Sequence, residues 1–249
     1  EFQYMLVKVA PIGRMEHAHI DFSFPVQKQV SVSNYIPIRS SQGSNYAVGM
    51  LNELASRRPV FRSQFDLRDA LTAMFQSKGW RVTTNREMGR GLKADIWAEK
   101  PGEQSVAIEV RYKTSLLMCN VQGETFTLKH QAAQDISRYD YWRDVWKLEQ
   151  IVGSRPGTVG YAILITNEHL YWDRPTKRRS VDEDFLLYDG RTVSGTLKWA
   201  EHAGKGTMDN REDSIHLQKT YSLTWQIYSE NSTEKNSLFK ALVIEVPQD

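Results

Sequence analysis

The stretch 93–113 reads Lys93-Ala94-Asp95-Ile96-Trp97-Ala98-Glu99-Lys100-Pro101-Gly102-Glu103-Gln104-Ser105-Val106-Ala107-Ile108-Glu109-Val110-Arg111-Tyr112-Lys113. Lys100-Pro101-Gly102-Glu103 is turn-forming and divides two apolar runs, so 94–98 and 106–113 are expected to pair as a hairpin. Side chains alternate along a strand: 106, 108 and 110 share one face, and 107, 109, 111 and 113 share the other. Each strand carries one acid among apolar residues, Asp95 and Glu109. An unpaired carboxylate in such a setting is costly, so this pair is the feature that needs a cause.

Outward from the hairpin, the pattern becomes a fold. Leu67, Ala70, Leu71, Met74 and Phe75 recur at helical spacing and predict a helix over 66–78, ended by Gly79. Residues 80–84 read as a strand and Gly89-Arg90-Gly91 as a turn. Downstream, Ile136, Tyr139, Trp142, Val145, Trp146 and Leu148 predict the buried stripe of a helix over 131–151, and 153–157 breaks it. The apolar run 160–166 suits a strand covered on both faces. Helix, three strands, helix, strand implies an α/β fold with a mixed central sheet flanked by helices. Further strands are expected at 185–188, 196–199, 215–217, 221–228 and 242–246, with a polar loop at 204–213. Strand-like patterns also occur at 4–9 and 26–32. The organisation expected is an N-terminal extension (1–60), a core (61–175) and a β-rich C-terminal part packed on it (176–249).

Composition narrows the class. Of 249 residues, 40% are hydrophobic and 25% charged, which excludes a disordered or fibrous chain. A chain of this length buries about three quarters of its surface on folding, enough for a core without staples. The net charge of +2 excludes a strongly basic arm, so the 32 Lys and Arg must act through local placement. The single cysteine, Cys119, forms no internal disulfide or cysteine-rich zinc site and is expected to pack as a small hydrophobe. No apolar run reaches the ~18 residues of a membrane span. Residues 1–5 show no basic segment leading into an apolar one. A cytoplasmic protein with no membrane partner is expected.

If the two strands pair, Asp95 and Glu109 can converge on one point. Two carboxylates, with water and phosphate oxygens in the remaining positions, describe a Mg²⁺ site that Mn²⁺ could also fill. Arg111 and Lys113 share the face of Glu109 and put positive charge beside it. Such a cation can orient an attacking water and offset charge on a scissile phosphate.

These residues resemble the motif of the PD-(D/E)XK, or restriction-endonuclease-like, nuclease superfamily: an Asp on one strand, then an acid, one residue and a Lys on the next. The matching residues are Asp95, Glu109 and Arg111, with Ala94 where the family often has Pro, and the resemblance spans roughly 62–170. It implies a restriction-endonuclease-like core (αβββαβ) and a metal-dependent endonuclease hydrolysing DNA phosphodiester bonds, in restriction, defence or repair. It also implies 5′-phosphate and 3′-hydroxyl products and a homodimer for cutting both strands; RNA stays open as a substrate. Arg111 stands where the family usually has Lys, and arginine does not readily exchange a proton. Lys113 is therefore an alternative amine, and loss of catalysis a third reading. Many relatives carry a Glu in the first helix. The aligned position here holds Arg68, so Asp66, nearer the apolar stripe than Asp69, is the candidate third metal ligand. Lys129, Gln131 and Gln134 stand at the start of the next helix, where relatives often place a polar residue against phosphate or water. With Arg90 and Lys93, Lys129 and Gln131 are the candidate nucleic-acid contacts.

Plainer readings stand beside these. Asp95 and Glu109 could form ion pairs with Lys93 or Arg111. The groups Arg57-Arg58-Arg62 and Arg86-Arg90-Lys93 are phosphate contacts or solvated faces. Arg174, Lys177, Arg178 and Arg179 follow Trp172 as a basic loop that grips nucleic acid or lies free. His17 and His19 lack neighbouring metal ligands, and no G-x-x-x-x-G-K-[ST] loop occurs. Two non-enzymatic functions remain: a nuclease-like nucleic-acid-binding subunit without catalysis, and a scaffold within a larger complex.

Overall fold

The computed structural model describes residues 46–131, 133–176, 180–232 and 235–248. The strands expected within 1–45, the histidines at 17 and 19, and Lys177, Arg178 and Arg179 lie outside the described residues.

Helices α1 (Tyr46–Arg57) and α2 (Gln64–Ser77) come first. Ser63 caps α2, its hydroxyl accepting from the Asp66 amide at 3.2 Å. At the far end the Trp80 amide donates to Phe75 O and the Gly79 amide to Gln76 O, with Gly79 at φ 81°. This is a Schellman closure, which needs a left-handed residue where the sequence has glycine. The Phe75 and Trp80 rings pack edge to face at 5.5 Å across it.

Then follow β1 (Arg81–Gly89), β2 (Leu92–Glu99), β3 (Ser105–Lys113), the hairpin β4 (Leu117–Val121) and β5 (Glu124–Leu128), helix α3 (Gln134–Gly153) and β6 (Thr158–Thr166). The last part holds β7 (Thr192–Leu197), a short helix α4 (Lys205–Met208), β8 (Ile215–Ser222), β9 (Trp225–Glu230) and β10 (Leu238–Val246). The central sheet has six strands in the order β1-β2-β3-β6-β10-β9. Only β3 and β6 run parallel; every other neighbouring pair is antiparallel. The fold is thus mixed α/β around a mixed sheet.

Period two divides the core between the faces. Ile108, Val110 and Tyr112 of β3 pack with Leu51 of α1 and Leu67, Leu71 and Phe75 of α2. Ala107 of β3 and Ala162 and Leu164 of β6 pack with Tyr139, Trp142, Val145 and Leu148 of α3. All nine residues of β6 are buried, as a strand with both faces and both edges covered requires. α3 lies close over β6 at Gly160, where an added Cβ would stand 3.1 Å from Leu148 Cβ and 3.3 Å from Val152 Cγ2.

Several elements differ from expectation. α1 falls in the expected N-terminal extension yet shares the core of α2, so no boundary separates 60 from 61. β10 lies beside β6 within the central sheet, so the C-terminal part completes that sheet as well as covering it. The stretch 185–188 is no strand: a 3₁₀ turn at Glu183–Phe185 packs Phe185 edge-on against the stacked rings of Tyr139 and Trp199. The run 221–228 divides into the end of β8 and β9. The β4–β5 hairpin was not anticipated; it turns through Gln122 and Gly123, both left-handed (φ 54° and 84°). Among the described residues no helix is long and apolar enough to cross a membrane.

Gly160→Ala tests the closeness of α3 to β6. Overpacking there is expected to cost about 1–3 kcal/mol of stability, measured by urea denaturation; an unchanged midpoint would show that α3 can shift away freely.

Candidate active site at a split between two strands

β2 and β3 pair at Ala98↔Val106, Trp97↔Ala107 and Ile96↔Ile108, and there their ladder ends. The next pair in register would be Asp95 and Glu109. Their side chains take over the hydrogen bonding that the ladder gives up. The Val110 amide donates to Asp95 Oδ2 at 3.0 Å, and the Asp95 amide donates to Glu109 Oε1 at 3.3 Å. On the other edge of β2 the ladder with β1 also skips a pair, between Thr84↔Ile96 and Arg86↔Ala94. The skipped residue of β1 is Asn85, left-handed at φ 50°, a conformation asparagine tolerates better than most residues. β2 therefore lacks a ladder pairing on both edges at Asp95. The sheet opens there, and the two acids come together in the opening.

The third wall is α3. Asp140, Asp144 and Lys147 are spaced by four and three, which lines them along one side of the helix. Their charges answer β3 residue by residue. Lys147 Nζ donates to Glu109 Oε2 at 2.5 Å and lies 3.6 Å from Asp144 Oδ1. Arg111 Nε donates to Asp144 Oδ2 at 2.5 Å, and its terminal nitrogens reach the Asp140 carbonyl at 3.1 Å and carboxylate at 3.5 Å. Arg211, from the loop after α4, holds the same Asp140 carboxylate through two donors at 2.7 and 3.1 Å.

Glu109 is 2% exposed. Burial first, then Asp144 and Asp95, push its carboxyl well above the usual carboxylate range, against the pull of Lys147. Lys147 is held charged by Glu109 and Asp144, which outweigh its own desolvation. Arg111 stays protonated beside Asp144 and Asp140 despite its burial. The carboxylates thus meet in a desolvated place where negative charge is in local excess. Asp95 Oδ1 accepts no hydrogen bond among the described residues. Hard oxygen donors in such a setting fit a hard divalent cation such as Mg²⁺, which is commonly held by one or two carboxylates with water and phosphate.

The structure distributes the sequence-predicted residues unevenly. Asp95, Glu109 and Arg111 come together, but the donors of Arg111 go to α3. Asp66 does not join them. It belongs to α2, whose buried stripe packs on the opposite face of the sheet from α3, and its carboxylate accepts from Arg58 and from the Arg62 amide. Gln131 serves the chain itself: its Oε1 accepts from the Thr114 amide and its amide donates to Thr114 O, tying the α3 approach to the end of β3. Lys129 is exposed beside it, its carbonyl accepting from Thr114 Oγ1. Lys93 pairs across the hairpin with Glu87 at 2.7 Å, and Arg90 is exposed in the β1–β2 turn. By register that turn lies at the same end of the sheet as Lys113 and the carboxyl ends of β3 and β6. Arg57, Arg58 and Arg62 are engaged by Glu53, Asp66 and Glu124, and Arg86 lies over the Trp97 ring while pairing with Glu99. Sequence reasoning missed Lys147, Asp144, Asp140 and Asn85. Their signals were present: a charged line beside the apolar stripe of a helix, and an asparagine in the middle of a strand.

Comparison with protein-family models, with curated proteins and with solved structures finds no match to this chain. The site must therefore be interpreted from its own geometry.

Glu109→Gln tests that geometry through stability. Because the folded-state pKa is raised above the ordinary 4.5, the contribution of Glu109 to stability is complete below that pH and is lost as pH rises through the folded value. The variant lacks this loss. Its melting temperature relative to the parent is expected to climb as pH increases from about 5 to 8; a difference independent of pH would show a carboxylate already ionised at the lower end.

Proposed function

We propose that this protein is a metal-dependent endonuclease of restriction-endonuclease-like type, hydrolysing DNA phosphodiester bonds with Asp95 and Glu109 as its metal ligands. The observation that carries the reading is the meeting of these carboxylates at the β2–β3 split with the Lys147 ammonium on Glu109. The order of elements supports it. α2, antiparallel β1-β2-β3, α3, and β6 parallel to β3 follow the αβββαβ order that the resemblance implies. A cytoplasmic location and pairing of two copies to cut both strands go with this reading.

Each residue then has a physical task. Asp95 and Glu109 would hold Mg²⁺ or Mn²⁺, each already oriented by an amide of the opposite strand. A bound divalent ion supplies Lewis acidity and an acidified water. Lys147 brings an ammonium to Glu109, the second acid, and on this reading takes over the task that the motif gives to a lysine two residues beyond that acid. It can hold a water by hydrogen bonding and offset charge developing on a phosphate oxygen. Arg111, spent on Asp144 and Asp140, is a positioning residue that holds α3 against β3. On this reading the amine comes from the helix, and the strand keeps a guanidinium for structure.

The same engagement of Arg111 favours the second reading, a nuclease-like DNA-binding subunit in which β3 no longer serves catalysis. Plasmid cleavage in Mg²⁺ or Mn²⁺ separates the two. The nuclease reading expects the parent to nick or cut DNA, Asp95→Ala to lose cutting while retaining DNA binding, and Lys147→Gln to cut about 10²–10³-fold more slowly. A parent that binds DNA without cutting it would establish the second reading instead.

A further inference from the structure

Lys113 closes β3 on the face of Glu109 and Arg111, and the tasks above leave it unused. It is half-buried, and its ammonium makes no hydrogen bond or ion pair among the described residues. Burial and the Arg111 charge work against its own charge, Asp140 works for it, and Arg211 again against it. Pairing the neighbouring charges shows why. Lys147 answers Glu109, Arg111 answers Asp144, and Arg211 answers Asp140 through two hydrogen bonds. Among these four cations Lys113 is the one whose side chain touches no carboxylate among the described residues. A half-buried cation without a contacting partner is poorly solvated and gains most from an anion that arrives from outside.

Its place selects the anion. Lys113 stands at the carboxyl end of β3, at the same end of the sheet as the β1–β2 turn with Arg90 and the split at Asp95. Four residues of strand separate it from Glu109, about 13 Å along β3. That is too far for the two side chains to share one reacting phosphorus, but both can serve one strand of nucleic acid. Arg211 is fixed beside it. Its guanidinium is committed to Asp140 and Asp209 O, and its carbonyl accepts from Trp199 Nε1 at 2.8 Å. Arg211 is therefore held in place beside Lys113 by its own partners.

We propose that Lys113 is a backbone-phosphate anchor: its ammonium holds a non-scissile phosphodiester of the DNA strand whose scissile bond lies at Asp95 and Glu109, with the Asp140–Arg211 pair fixed beside it. The anchor deepens the nuclease reading and rests on it. An ammonium suits this role as a point charge, which arginine can replace, whereas an amine taking part in proton transfer cannot be replaced that way.

The test uses the full chain and a fluorescein-labelled DNA duplex, with binding followed by anisotropy without divalent metal at 50 to 200 mM salt, and cutting measured separately in Mg²⁺. Lys113→Gln is expected to raise Kd about 5–10-fold at 0.1 M salt and to reduce the salt slope by about one. Lys113→Arg restores both and cuts at the parent rate. Arg81→Gln, at the far end of β1, changes neither, and thermal melting verifies that each variant is folded. Binding by Lys113→Gln with the parent Kd and slope overturns the anchor; if the parent still cuts DNA, the nuclease reading survives that result. Lys113→Arg that binds like the parent but fails to cut also overturns it, because the amine would then act in the chemistry. A parent whose binding depends on Lys113 but which never cuts ends the nuclease reading and, with no scissile bond to anchor, overturns the anchor as well, leaving Lys113 as a plain phosphate contact of a DNA-binding subunit. A parent that binds no DNA at 50 mM salt ends both.

Discussion

Two carboxylates sit inside this sheet because each satisfies a backbone amide that the sheet itself has abandoned. At Asp95 the ladder fails on both edges of β2, and an unpaired buried amide would cost about as much as a lost hydrogen bond. Asp95 and Glu109 repair that loss crosswise, each accepting from the opposite strand. These hydrogen bonds offset part of the cost of burying the acids. The opening and the acids depend on each other. A fully paired ladder would leave the carboxylates without a use, and apolar residues at 95 and 109 would leave the opened strands without acceptors.

The remaining cost is met by α3. A helix laid over β3 places a line of charges against a line of charges, and here they alternate in register: Lys147 over Glu109, and Asp144 and Asp140 over Arg111. Arginine at 111 fits this role in a way lysine would not. Its planar fork reaches two acids one helical turn apart and stays charged when buried. Under the nuclease reading, the amine that the resemblance would put on the strand comes from the helix instead.

How much of this was legible depends on whether the signal was local. The strands around Asp95 and Glu109, the α2 stripe with its Gly79 stop, the α3 stripe and the doubly covered β6 all follow from periods of two and 3.6 and one left-handed glycine. The pairing of the two acids was legible for the same reason, since a hairpin links their strands. Lys147 was not, because it lies 38 residues from Glu109 and only the packing of a helix on a sheet unites them. Asp66 misled because helical phase locates a residue around its own axis and does not say which face of the sheet the helix covers. The β4–β5 hairpin was overlooked because its strands have five residues each and Leu117-Met118-Cys119 puts three apolar residues in succession, which hides the alternation of β4. The run 221–228 was read through a break at Leu223-Thr224, where no glycine or proline marks the boundary.

A site that relies on charges from a helix requires that helix to hold its position, and the C-terminal part supplies the restraint. Glu149, 3% exposed, accepts from the Gln218 and Lys219 amides and from Tyr221 Oη, which fastens α3 to β8 just beyond Lys147. At the other end Arg138 donates to Asp182 at 2.6 Å and to Leu170 O at 2.6 Å, just before Asp140. The segment carrying Asp140, Asp144 and Lys147 is thus fixed on both sides by buried polar contacts that slide poorly, because a shifted partner would be left unpaired in a dry interior. Gly160 sets the depth of the same helix over β6. These contacts therefore do more than cover the sheet: they fix, along the helix and in depth, the position of the Lys147 ammonium that meets the buried acid.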